Sequence, residues 1–145
     1  MEASLDGLLA AQRGLSERFD DFRGALARRD EAAYGMALAD FHVCLRRWTA
    51  AEEQVLLPAL GRVVLPGRDP QREVRLEWVQ VRELTRYLLT QVTERARLSD
   101  ILGLADNLAQ RLAAHRSEME RVYYPALAPG LTAEEWRILE GAAPP

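Results

Sequence analysis

Residues 48–60 read Trp48-Thr-Ala-Ala-Glu52-Glu53-Gln-Val-Leu-Leu-Pro58-Ala-Leu60, and residues 115–127 read His115-Arg-Ser-Glu118-Met119-Glu120-Arg-Val-Tyr-Tyr-Pro125-Ala-Leu127. In one register Val55-Leu-Leu-Pro-Ala-Leu60 meets Val122-Tyr-Tyr-Pro-Ala-Leu127, Glu53 meets Glu120, and Trp48 meets His115. Apolar residues recur through both stretches at steps of three and four, the spacing of one helix face. The same register pairs Leu45 with Leu112, and the first and third helices are comparable, with Gln12 falling opposite Trp78. A helical hairpin is therefore present twice, too few copies for a solenoid. A duplicated hairpin builds a central site of approximate two-fold symmetry.

Outward from these stretches the helical period fills most of the chain. The first seam is Leu5, Leu8, Leu15, Phe19, Phe22, Leu26, ending near the basic pair Arg28 and Arg29. Asp30 is placed to cap a second helix with the seam Tyr34, Ala37, Phe41, Cys44 or Leu45, Trp48, Glu52, Val55. Val64-Leu-Pro-Gly-Arg68 is the clearest break, and Asp69-Pro70 reads as a cap followed by a first-turn proline. The third seam is Val74, Trp78, Val81, Leu84, Leu88, Val92. Ser99 is expected to cap the fourth, Ile101, Leu104, Leu108, Leu112, His115, Met119, Val122. Pro129-Gly130 breaks the chain again, and Thr132 with Glu135 predicts a capping box on a short helix over about 132–140. Four helices of roughly 37 Å joined by short links predict an all-α, antiparallel up-down-up-down four-helix bundle. A single domain over 1–145, with its core over about 4–127, is expected.

Composition excludes several functions. The 145 residues carry a formal charge of −3 and an isoelectric point near 5.5, with no clustered basic face for nucleic acid. All 19 basic residues are Arg, which points to a GC-rich coding bias. No apolar run approaches the roughly 20 residues of a membrane span. One cysteine, Cys44, allows no internal disulfide, and no signal peptide is evident; the cytoplasm is the expected compartment. No Ser-His-Asp set, phosphate loop or CxxC pair is present, and enzyme activity is not expected.

The middle of the bundle holds Gln12 from the first helix, Trp48 and Glu52 from the second, Trp78 from the third, and His115 and Met119 from the fourth. Residues four apart share a helix face, the arrangement in which bundles build di-metal sites. The two stretches quoted above resemble the two halves of a hemerythrin-like (HHE cation-binding) domain, which repeats His-x-x-x-Glu-Glu with an apolar-Pro-Ala-Leu ending. Leu76-Glu77-Trp78 to Leu84 is similar to the family's third-helix segment, where a histidine stands in place of Trp78. The resemblance covers roughly residues 4–127 and implies a di-iron site. Its four histidine positions hold Gln12, Trp48, Trp78 and His115, and its two carboxylate positions hold Glu52 and Met119. One histidine and one carboxylate are too few for two irons. Glu118 and Glu120 flank Met119 but are rotated about 100° from the seam. No metal and no cofactor are expected.

Core filling is the simplest reading of Trp48 and Trp78, and packing that of Met119. Gln12 is expected to hydrogen-bond the Glu52 carboxylate. A buried carboxylate is costly unless paired or protonated, so Glu52 is expected to be charged and held by Arg82, one turn beyond Trp78, or by His115. Three functions stay open: a non-metal interaction or regulatory module, a small-molecule sensor using the former metal cavity, and a residual metal-binding, oxygen-handling protein. A homodimer through an exposed helical face is also expected, helped by apolar Trp136, Ile138 and Leu139 on the short last helix.

Overall fold

Asp30 and Asp69 open their helices with side chains that accept from Ala33 N at 3.2 Å and Arg72 N at 3.3 Å. The computed structural model describes residues 5–145. Helix α1 spans Leu5–Ala27, α2 Glu31–Leu60, α3 Pro70–Thr93 and α4 Leu98–Glu118. A π-helical turn, Met119–Tyr123, leads into α5, Tyr124–Leu127; a 3₁₀ turn, Ala128–Gly130, then leads into α6, Ala133–Ala142. Each long helix packs on its sequence neighbour and α4 closes back on α1. The result is the expected antiparallel all-α bundle, without strands among the described residues.

The expected cap at Ser99 is corrected. The cap position lies two residues earlier, at Arg97, with α4 beginning at Leu98, and Arg97 makes no side-chain cap bond. The cause lies at the end of α3, where Arg95 takes a left-handed φ of 55° and Ala96 N bonds back to Gln91 O. This tight exit brings the Arg97 carbonyl to the new helix, where it receives Asp100 N and Ile101 N. Helix α1 ends in the same Schellman geometry, with Arg29 at φ 56° and Asp30 N bonded to Ala25 O.

Two seam positions also shift. Ala105 and Thr85 are buried, whereas Leu104 and Leu84 are half-buried. Thr85 is tolerated there because its hydroxyl donates to Val81 O at 2.7 Å. Phe19, Phe22, Tyr34 and Phe41 pack as an aromatic cluster in one half of the bundle, with neighbouring ring centroids 5.1–6.5 Å apart. Trp48 and Trp78 are buried in the middle layer.

Helix α6 has the predicted capping box between Thr132 and Glu135. It lies on α2 with Trp136 and Leu139 buried. The apolar surface offered in support of a homodimer is thus largely spent inside the chain, which corrects that premise.

Candidate functional site

Glu52 brings a carboxyl group to the centre of the bundle, and it is wholly buried. Its Oε1 accepts from Gln12 Nε2 at 3.1 Å and from the Tyr124 hydroxyl at 2.9 Å. Gln12 Nε2 also donates to the Tyr124 oxygen at 2.6 Å, so the three groups form a closed triangle across α1, α2 and α5. The Trp48 and Trp78 indole N–H groups act on the same carboxylate and favour its ionised form, yet neither completes a hydrogen bond of normal geometry. Glu52 Oε2 is likewise without a full partner. The acid is bonded by neutral donors, and among the described residues no cation forms an ion pair with it. Burial dominates, and the pKa of Glu52 is pushed up to about 7; His115, Tyr124 and the two indoles pull in the other direction.

This corrects the expected partner of Glu52. Arg82 leaves the layer and forms an ion pair with Glu53, the next residue on α2, where both side chains are partly exposed. The reason is angular: Glu53 is turned about 100° from Glu52, toward the rim, and a guanidinium there keeps its hydration. His115 lies close enough to favour a charged Glu52, but its Nδ1–H donates to Glu77 Oε2 at 2.7 Å. Its ring also meets Trp78 at a centroid distance of 6.4 Å. Glu52 is therefore not a fully charged member of an ion pair at neutral pH. Met119 is fully buried packing.

The layer has little free space. A cavity of about 20 Å³ lies among Gln12, Phe41, Trp48, Trp78 and His115, enough for roughly one water molecule. Both indoles line this cavity.

Tyr124 is the site member that sequence reasoning missed. The π turn carries it, with Tyr124 N–H reaching back to Met119 O. A readable signal existed: the repeat places Tyr124 opposite Leu57, and a tyrosine at a core position needs a partner for its hydroxyl. Its neighbour Tyr123 serves the rim instead, donating to Glu73 at 2.7 Å and accepting from Arg68 at 3.2 Å.

The cation implied by the resemblance does not fit these residues. Two indole N–H groups present hydrogen, not a lone pair, toward the carboxylate. Glu52 Oε1 is already taken by two donors, and His115 Nδ1 is taken by Glu77. Among the described residues no three His, Cys, Asp or Glu side chains converge as a metal-holding group. Comparison with curated proteins and with solved structures finds no match. The profile of the Hemerythrin HHE cation binding domain matches residues 4–127. That match spans most of the chain and takes in both Pro-Ala-Leu repeats, so this protein, with its altered central layer, belongs to the hemerythrin HHE cation-binding domain family.

Proposed function

We propose that this chain is a metal-free hemerythrin-like module that works by interaction or regulation rather than by cation or oxygen chemistry. One observation carries the reading: the layer that would take a metal pair is packed by Trp48 and Trp78 down to about 20 Å³. The sensor reading draws on the incompletely bonded Trp48 Nε1, Trp78 Nε1 and Glu52 Oε2. Space for a single water argues against any larger ligand in the closed bundle. The single cysteine, Cys44, half-buried and unpaired, suits the cytoplasm.

Anaerobic loading with ferrous iron, followed by desalting and elemental analysis, tests the reading. The protein should emerge colourless with far less than one iron per chain. About two irons retained per chain, with an oxo-bridge absorption band on exposure to air, would reject it.

A further inference from the structure

Two stripes of side chains run side by side along the outer face of α2 and α3. On α3, Arg72, Arg75, Val79, Arg82 and Arg86 follow one another at steps of three and four, and so share one helix face. On α2, Val43, Arg46, Ala50 and Glu53 do the same. Contacts across the seam make the stripes neighbours. Arg82 pairs with Glu53, and farther along Gln71 Nε2 donates to Leu57 O at 2.8 Å. Burial, then the charges of Arg46 and Arg86, disfavour the protonated form of His42, so one guanidinium from each helix stands near that ring. The sequence divides these arginines between two helices, and only the packing of α2 on α3 gathers them.

Five arginines thus meet one glutamate, on a chain whose formal charge is −3. Glu53 answers Arg82 alone. Among the described residues the guanidinium groups of Arg46, Arg72, Arg75 and Arg86 join no ion pair, and all four residues are exposed. Elsewhere Arg18, Arg23, Arg62 and Arg68 each hold a carboxylate of the same chain. Apolar side chains lie among the free cations. Val43 is 56% and Leu76 55% exposed. Leu76 and half-buried Val79 line a depression with Arg72 and Arg75, and its one acid, Asp69, is engaged as the cap of α3.

We propose that this face is the module's interaction surface and that its partner is an acidic amphipathic helix of another protein, with carboxylates on Arg46, Arg72, Arg75 and Arg86 and apolar side chains over Val43 and Leu76. The proposal rests on the interaction reading above and names its surface. Charge sets the sign of the partner: guanidinium groups gathered without counter-charges repel one another, and carboxylates relieve this with paired hydrogen bonds. The apolar positions set its form. A phosphate strand offers nothing to Val43 and Leu76, and Glu53 and the exposed Glu83 repel it. Residues 72–86 rise about 21 Å, the length of roughly four turns of a partner helix.

The probe is a fluorescein-labelled helical peptide of about 18 residues, built of Glu, Ala and Leu with the leucines along one face and glutamates beside them. Anisotropy follows its titration with the whole chain. It should bind with a Kd below about 1 mM at about 20 mM salt, and about tenfold more weakly at about 300 mM, where exposed charges are screened. The variants R46E/R86E and R72E/R75E should each weaken binding about tenfold or more, since each loses two exposed pairs. Circular dichroism checks that their bundles are intact; if either is not, the salt titration and the control peptides decide on the unaltered chain. A peptide with alanine for every leucine should bind more weakly, and one with lysine for every glutamate should not bind. No binding up to about 1 mM overturns the proposal, as does affinity indifferent to salt or to charge reversal in an intact bundle. An alanine peptide that binds equally well, a lysine peptide that binds, or a double-stranded oligonucleotide that binds more tightly than the acidic peptide also overturns it. None of these outcomes alters the iron-loading result, so the two readings fall separately.

Discussion

At Glu52 an acid has been retained where its cation has no place, and neutral dipoles now solvate it. The triangle with Gln12 and Tyr124 serves one oxygen, and the indole N–H groups of Trp48 and Trp78 favour the carboxylate without completing a hydrogen bond to it. Because its folded pKa is raised from 4.5 to about 7, the folded state binds this proton more tightly than the unfolded chain does. Stability must therefore fall as pH rises between those values and level off above them, a loss of up to ~3 kcal/mol. His42 acts in the opposite sense just below its ordinary pKa of 6.5, since burial and the charges of Arg46 and Arg86 disfavour its protonated form. Comparison with Glu52→Gln isolates the acid. Urea midpoints measured at about pH 5 and about pH 8 should show wild type losing stability relative to the variant as pH rises. A constant difference would mean that Glu52 is ionised throughout and has found a cation.

At the scale of the helix, similar sequence signals carry different weights. Asp30 and Asp69 accept backbone bonds at the starts of α2 and α3, so Asp30→Ala and Asp69→Ala should each cost about 1 kcal/mol. Ser99 lies inside α4, and Ser99→Ala should leave the denaturation midpoint unchanged. Arg95 holds a left-handed conformation that glycine adopts freely, and its side chain is largely exposed. Arg95→Gly should raise stability by about 0.5–1 kcal/mol, the Schellman preference outweighing an exposed contact to Glu31. Equilibrium urea titrations of the four variants decide these cases; a destabilised Ser99→Ala would put the cap back where the sequence suggested it. The π turn is another event at this scale. Pro125 lacks a backbone donor, the widened turn precedes it, and Tyr124 is thereby carried to Glu52.

For the molecule as a whole, the tryptophans are the pillars of the central layer. Both are 1% exposed, and both border the same small cavity. Trp48→Ala or Trp78→Ala should cost roughly 3–5 kcal/mol, because neighbouring helices cannot close over so large a gap. Thermal or urea unfolding measures it, and a loss below about 1 kcal/mol would mean the layer opens readily, which would favour the sensor reading. Helix α6 adds to the bundle through two buried side chains and rim contacts.

Helix number, antiparallel order, the repeat and the poverty of metal ligands were legible in the order of residues. Those properties follow from periodicity, turn chemistry and residue type, which are local. The link from Gln12 to Glu52 was legible too, since a polar pair at one level of a core has few other partners. What holds the rest of the layer was not. Whether Arg82 faces Glu52 or Glu53 depends on a rotation of about 100° between adjacent residues and on which of them water can reach. Tyr124 reaches Glu52 through a π turn that the helical period does not encode. The apolar residues of α6 pointed outward on paper and inward in space, because burial is a property of what lies across from a side chain. Sequence alone determined the bundle and the loss of its cation ligands; only the packed tertiary structure decided which neutral groups surround the acid left behind.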